Sequence, residues 1–460
     1  MVFKNNTEQG ELTVKGLKQI TWDELRAHNT RKSCWVVIDG NVYDISNWLH
    51  KHPGGDVVIL SMSSEDCTDI FNAYHPPYVR ARMLELHKIG IIVDYSVSKM
   101  VKEFREIAKT VERSKLMNTN PIFYLKLSIW YVFLISTVLL SILYGGESVW
   151  ISSVLSGVFM ALFFQQVAFI GHDLGHTAVT HSRKNDSVLG IFIGNMLTGI
   201  SMGWWKATHN AHHVATNILA SDPDIQHFPF FAISAEHFCQ FLSTYHEKMF
   251  SFIGLARIAV PMQAYLYYLI MSVARLNLYI QSYVFLLHGD EFRERRIKSA
   301  RNIELTGLLV FATWLTCLMA QIPTATGRIL FFVISHTLAG LLHVQITLSH
   351  FAMPVFITPS ATGSFVEHQI KTSMDIDCHQ SLDWFHGGLQ FQVVHHLFPR
   401  VPRHNLRGLR AVVQTFALKY GLAYECYSFV QANKLMINHL ASVAGESRIH
   451  ILDDIMNLRG

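Results

Sequence analysis

The chain has 460 residues, half of them hydrophobic and only 16% charged. That balance is too apolar for an ordinary soluble enzyme and too charged for a bundle immersed wholly in lipid, so a mixed membrane protein fits. A net charge of +4 on this length gives no case for nucleic acid, whereas 26 histidines against 34 Asp and Glu residues is the compositional anomaly. The six cysteines are scattered and form no C-x-x-C pair, which argues against a disulfide framework or a thiolate metal site and for a reducing, cytosol-facing setting. Met1 to Gly16 is polar and has no apolar core, so residues 1–18 are expected to be a tail rather than a cleavable signal.

Residues 19–93 read as a compact α+β domain. Thr21-Trp-Asp-Glu24 has the form of a capping box and opens a short helix. Trp35 to Asp44 gives two short strands around an Asp39-Gly40-Asn41 turn. His52-Pro53-Gly54-Gly55 follows, and a second histidine comes at His75. Two histidines facing each other across apolar side chains can sandwich a haem; the plainer reading makes His52 a helix cap and His75 a surface residue. Bis-histidine ligation leaves no open position, so such a haem carries electrons and binds no oxygen. Residues 94–120 are a charged link in which Lys99, Lys102, Arg105, Lys109, Arg113 and Lys115 alternate with Glu103, Glu106 and Glu112. They predict a solvated amphipathic helix that doubles as a basic anchor at the membrane surface.

Four stretches are apolar and long enough to span a bilayer, at about 122–144, 149–170, 305–322 and 329–349. The segment 258–274 is similarly apolar but carries Pro261 and is closely flanked by Arg257 and Arg275. If the histidine clusters described next meet, the chain must cross an even number of times between them, so 258–274 is expected to lie in the interface or dip and return. Segment 187–205, between two clusters, is expected to be re-entrant or interfacial. The basic runs Lys99–Lys115 and Arg293–Lys298 fall on the clusters' side, which the positive-inside rule makes the cytosol.

The clusters are His172-Asp-Leu-Gly-His176, His209-Asn-Ala-His212-His213 and Gln392-Val-Val-His395-His396. Spacings of three and four put imidazoles on one helical face. Seven imidazoles are too many for one ion of four to six ligands and suit two; with carboxylates scarce among them, iron or zinc fits better than magnesium or calcium. A haem electron donor on the same chain favours redox chemistry with O2 over zinc hydrolysis. Asp173 reads either as a partner orienting His172 or as a solvated or capping residue, and His336 and His343 read as packed polar residues.

The three boxes behind a His-Pro-Gly-Gly domain resemble the front-end membrane desaturases, and residues 19–93 resemble cytochrome b5. Supporting context includes Trp204-Trp205-Lys206, Asp222-Pro223-Asp224, the run from Trp384 to Gln392, and Leu397-Phe-Pro-Arg400. The likeness runs from residue 19 to about 420. It implies an α+β cytochrome b5-like haem domain followed by an all-α membrane desaturase region (121–350) with four transmembrane helices, then a cytosolic part (351–460) completing a histidine-rich diiron cap. His52 and His75 would be the axial ligands of a haem b. His172, His176, His209, His212, His213, His350, Gln392, His395 and His396 would form the metal site, His350 being the ligand expected after the last span and Gln392 the mark of the front-end group. Val394 departs from relatives that carry Glu there. The implied reaction uses O2 to remove two hydrogens from neighbouring CH2 groups of a lipid chain, with electrons from NADH through a cytochrome b5 reductase, at the endoplasmic reticulum membrane. Within the group, the surroundings of the third box look most like desaturases acting at carbon 8 of sphingolipid long-chain bases. Carbon-6 fatty-acyl desaturation is the near alternative; a lipid hydroxylase or a non-catalytic haem electron-transfer protein is more remote.

Overall fold

The computed structural model describes residues 17–82, 84–288, 298–358 and 363–457. The expected tail up to residue 16 and the basic run from Arg293 to Ile297 lie outside the described residues.

Five strands open the fold: β1 (Lys18–Ile20), β2 (Asn29–Thr30), β3 (Ser33–Ile38), β4 (Asn41–Asp44) and β5 (Lys88–Ile92), in the sheet order β1-β5-β4-β3-β2. β1 runs parallel to β5 and the remaining pairs are antiparallel. The Thr21 hydroxyl accepts from the Glu24 N–H at 3.1 Å, one half of the expected capping box, while the Glu24 carboxylate pairs with Lys18. Asp39 and Gly40 both have positive φ, 48° and 73°, which matches the right-handed twist of the strands they join. Cys34, Val36, Ile38 and Tyr43 bury themselves beneath short helices, one of which, α1 (Thr68–Tyr74), ends at His75.

The link forms α2 (Lys99–Arg113), N-capped by the Ser98 hydroxyl. Its buried face (Val101, Phe104, Val111) packs, through Phe104 and Val111, against Phe398, Leu409 and Phe416 of the C-terminal part. Arg105 on its other side meets Asp66 at 3.0 Å and Asp69 at 2.8 Å in the β-domain. The expected membrane anchor is thus a strut between two protein bodies, its apolar face turned to protein and not to lipid.

The four stretches expected to span form long apolar helices, α3 (Pro121–Tyr144), α4 (Ser156–Gly175, continued backwards by the turns from Trp150), α7 (Lys298–Ala320) and α8 (Ala325–Ala339, continued by Leu341–Thr347). Asn120 caps α3 by accepting from the Ile122 and Phe123 N–H groups, with Pro121 in the first turn where its missing donor is harmless. The segment expected at 258–274 is different. It belongs to a continuous helix, Ala256–Leu287, so that among the described residues five helices (30, 26, 32, 21 and 23 residues) are long and apolar enough to cross a membrane. Neither Pro261 nor Arg275 interrupts that run. Pro261 sits in a 3-10 turn between the short helix Ala256–Ala259 and α6 (Gln263–His288), in the first turns of the run, where proline is tolerated. Arg275 lies inside α6: its guanidinium sits 3.9 Å above the Phe164 ring and donates to the Thr198 carbonyl at 2.7 Å and to Tyr279 Oη at 2.9 Å.

Segment 187–205 contains a sharp bend, the geometry either of a re-entrant turn or of a broken span. The helical run Arg183–Thr198 meets α5 (Met202–Val214) at a bend of 108°. Glu304, buried in α7, secures that bend by accepting from the Gly203 N–H at 3.0 Å and the Ser201 hydroxyl at 2.5 Å. A carboxylate against the exposed N–H groups at a helix start is electrostatically favourable. A membrane helix therefore aims the helix that carries the second histidine box. After the last span come α9 (Gln392–Leu397), α10 (Leu406–Lys419) and α11 (Phe429–Asn457). Replacing Glu304 with Ala strands both donors in a buried site, and a loss of about 2 kcal/mol is expected; the thermal midpoint of the detergent-solubilised chain reads it, and Glu304→Gln should recover part.

Candidate metal centre

Each box sits where a helix end is pinned by a specific contact. Box one closes α4, and Gly175 lets Trp205 of α5 approach so closely that a Cβ there would lie 2.0 Å from the indole. That approach brings box two against box one. Box three lies on α9, and in its first turn the Val393 N–H is accepted by the buried Asp375 carboxylate at 3.0 Å. His209, His212 and His213 share α5, and His395 and His396 share α9.

The imidazoles divide into two groups. His172, His176, His209, His213 and His395 form one and His212, His350 and His396 the other, the ring nitrogens of each lying within 4.8 Å of one another. The two His-His doublets are split between them: His213 and His395 face one group, His212 and His396 the other. The groups abut, with the His213 and His396 rings stacked at 4.0 Å. In the first group His209 Nε2 lies 2.9 Å from His176 Nε2 and 3.0 Å from His213 Nε2. Metal–imidazole bonds of about 2.1 Å at right angles leave donor nitrogens about 3 Å apart, so this spacing suits a shared ion. His172 Nε2, His395 Nε2 and His396 Nε2 are buried without a hydrogen-bond partner, a costly state that an ion relieves. Burial holds the pKa of His395 and His396 well below the usual imidazole value, which keeps both neutral with a lone pair to give.

In the second group every ring has its other nitrogen engaged. His212 Nδ1 lies 3.0 Å from both Asp222 oxygens, His350 Nδ1 3.1 Å from the Thr372 carbonyl, and His396 Nδ1 2.9 Å from Gln369 Oε1. Each arrangement sets the Nδ1–H tautomer and leaves Nε2 as the donor atom. Gln369 also ties the groups together, donating through Nε2 to the His213 carbonyl at 2.9 Å.

All nine expected residues are therefore in one place. Gln392, a turn before His395, is buried and lines a recess with His172, His176 and His395. Asp173 takes neither expected role. It lies 3.9 Å from His172 Nδ1, beyond hydrogen-bond reach, and instead pairs with Arg403 Nε at 3.2 Å and accepts from the Tyr124 hydroxyl at 3.1 Å. His336 is packed and partnered, with Tyr279 Oη 3.2 Å from its Nε2, whereas His343 is buried with neither nitrogen paired. The sequence reading misses Gln369 and the Thr372 carbonyl, for which no local pattern exists, and meets Asp222 only as motif context.

The β-domain offers the second cofactor site. The His52 and His75 ring centres are 5.9 Å apart. Two axial bonds of about 2 Å, with each ring centre about 1 Å beyond its nitrogen, require a similar separation. His52 Nδ1 donates to the Gly55 carbonyl at 2.8 Å and His75 Nδ1 to the Phe71 carbonyl at 3.0 Å, so in both rings Nε2 carries the lone pair. Burial, then the neighbouring His52, lowers the His75 pKa to about 4, which keeps it neutral. Any Cβ on Gly54 would come within 2.8 Å of His52 Cε1, so glycine is required there for the ring to sit as it does.

Comparison with known proteins agrees with this division. Residues 148–428 match the model of the fatty acid desaturase family, and residues 21–93 match that of the cytochrome b5-like haem/steroid binding domain. The chain is 37% identical to a Delta(8)-fatty-acid desaturase of Helianthus annuus over 94% of its own length and 93% of that protein. It is 36% identical to an acyl-lipid (9-3)-desaturase of Borago officinalis over 94% of each chain. It is 34% identical to a Delta 8-(E)-sphingolipid desaturase of Komagataella phaffii over 95% of each. The chain belongs to the fatty acid desaturase family, as a member with a cytochrome b5-like domain fused in front, and is a lipid-desaturating oxidoreductase.

Asp222→Asn should weaken metal binding to the second group about 10- to 100-fold while sparing the first, because it removes the carboxylate that orients His212. Competition with a chelator, followed by metal analysis, measures this.

Proposed function

We propose that the two histidine groups hold two iron ions and that the chain desaturates a lipid chain at carbon 8 of a sphingolipid long-chain base, drawing electrons through its own haem domain. The observation that carries the two-metal reading is the splitting of both His-His doublets between adjacent groups. His172, His176, His209, His213 and His395 would hold one ion and His212, His350 and His396 the other, with Gln392 at the edge of the first. Bound iron supplies the O2 reduction and C–H oxidation that no side chain can perform. The protein's part is to orient imidazoles through Asp222, Gln369 and Thr372 and to bury the donor nitrogens away from water. Five imidazoles would nearly fill the coordination of one ion, whereas three would leave positions for an exogenous ligand at the other.

A four-crossing topology with both cofactor sites on the cytosolic face of the endoplasmic reticulum accounts for the contacts of the fifth apolar helix. Near its start, the Tyr267 hydroxyl meets Thr347 Oγ1 at 2.6 Å, three residues before His350; at its end, the Leu287 carbonyl accepts from Arg301 at the start of α7 at 3.3 Å. Both ends of α6 thus lie beside span ends that face the metal centre. A fifth crossing between His213 and His350 would separate residues whose neighbours touch, since the His212 and His350 rings are 4.6 Å apart. Electrons would reach the haem from NADH through a cytochrome b5 reductase, an outside partner. The long-chain-base assignment rests on the surroundings of the third box and on the sphingolipid desaturases among the relatives. The acyl-lipid relative supports a fatty-acyl substrate as the second reading.

Expression in a host that lacks the reaction, with both long-chain bases and fatty acids profiled, tests the substrate. New carbon-8 unsaturation in long-chain bases is expected, and His395→Ala should abolish it while the haem spectrum persists. New fatty acids with unchanged long-chain bases would overturn the assignment.

A further inference from the structure

We propose that Tyr74 is the contact through which electrons pass from the haem domain to the five-histidine group, and that Arg400 holds the two bodies in the pose that makes this contact. The proposal rests on the reading of His52 and His75 as haem ligands and of the histidine groups as metal sites.

Tyr74 is the last residue of α1 and is covalently joined to His75. Its ring crosses the boundary between the two bodies: the centroid lies 6.1 Å from that of His213, edge to face, and 6.5 Å from that of His176. Both histidines belong to the five-membered group. Two bonded residues and one aromatic contact therefore separate the haem side of His75 from the metal side of His213. Around this point the boundary is apolar, with Val214, the neighbour of His213, and Phe365 packing into the haem domain's own core cluster beside Tyr74. The Tyr74 hydroxyl is buried and makes no hydrogen bond, so the contact is made by the ring and not by the polar atom.

Arg400 lies four residues beyond His396 and reaches back over the same boundary. Its Nε donates to the Ala73 carbonyl at 3.0 Å and Nη2 to the Asn72 carbonyl at 3.4 Å. These carbonyls belong to the last turn of α1, where orphan acceptors and the negative end of the helix dipole favour a cation. Nη2 also donates to Glu112 Oε2 of α2 at 2.6 Å, so one guanidinium joins the third-box segment, the linker helix and the helix that leads to His75. The docked pose is thus tied at the point of contact, where a misplacement of about 1 Å is known to cost as much as 10²-fold in rate in other enzymes.

The electron count is consistent with single transfers. The substrate gives up two hydrogens, which are two electrons and two protons. The haem domain delivers two further electrons one at a time, its iron passing from ferrous to ferric in each delivery. With two protons from solvent these reduce O2 to two waters.

The test uses the full chain loaded with haem and iron. The haem is reduced by a laser flash in the absence of O2 and substrate, and its reoxidation by the oxidised non-haem iron is followed in the Soret band; the same chain without non-haem iron gives the baseline. Tyr74→Leu is expected to slow the iron-dependent phase at least about tenfold with haem spectrum, haem potential and iron content unchanged, and Tyr74→Phe to restore it. Arg400→Gln should slow the same phase and, in chain lacking both cofactors, raise amide exchange in residues 72–76 and 213–214. A parental rate in Tyr74→Leu overturns the bridge, and so does Tyr74→Phe as slow as Tyr74→Leu. Unchanged exchange and rate in Arg400→Gln overturn the clamp. If the parental chain shows no iron-dependent phase at all, the metal reading beneath the proposal fails, and that outcome is distinct from either.

Discussion

An α-helix turns by about 100° per residue, so two adjacent histidines on one helix cannot hold the same ion. The centre is organised around that constraint. Each doublet, His212-His213 and His395-His396, sends one ring to each of two groups, and two helices crossing with their doublets face to face generate both groups at once. Of the remaining members, His209 lies one turn before the doublet on α5, and the others arrive from helix ends: His172 and His176 close α4 and His350 follows the turns that continue α8. The long apolar helices thereby serve as supports whose ends meet at the centre.

Holding these rings in register falls to groups with the opposite electrostatic character. Asp222 orients His212, Asp375 receives the Val393 N–H in the first turn of the third-box helix, and Glu304 receives the Gly203 N–H in the first turn of the second-box helix. Each carboxylate is buried and each has its partners within hydrogen-bond distance, which is the condition under which a buried charge is tolerated. The same principle joins the haem domain to the rest. Arg105 meets Asp66 and Asp69 midway along the linker helix, and Arg400 meets Glu112 near its C-terminal end together with two α1 carbonyls. An electron donor fused to its acceptor already has a high effective concentration, and a fixed pose removes the remaining orientational search.

Much of this is legible in the chain. The boxes announce themselves because metal ligation from a helix needs spacings of one, three and four, and His52-Pro53-Gly54-Gly55 with His75 marks the haem site in the same local way. What escapes a reading of the sequence is non-local. Gln369 is 27 residues from the His396 it orients, and Asp222 ten from His212, with no period to connect them. Asp173 is misread because adjacency to His172 in sequence says nothing about Arg403, which claims it across the fold. The helix through 258–274 reads as shorter than it is because Arg275 looks like a boundary charge, although a guanidinium can sit inside an apolar bundle when an aromatic face and a free carbonyl receive it. The linker reads as a membrane-surface helix because amphipathicity shows that a face will be covered and leaves open by what.

The two-ion centre is most directly tested by counting iron in the purified, haem-loaded chain and in a variant. Two non-haem irons per chain are expected, with His350→Ala losing one of them and keeping the haem spectrum and the other ion. A single non-haem iron in the parental chain, or loss of both on replacing His350, would contradict the two-ion centre.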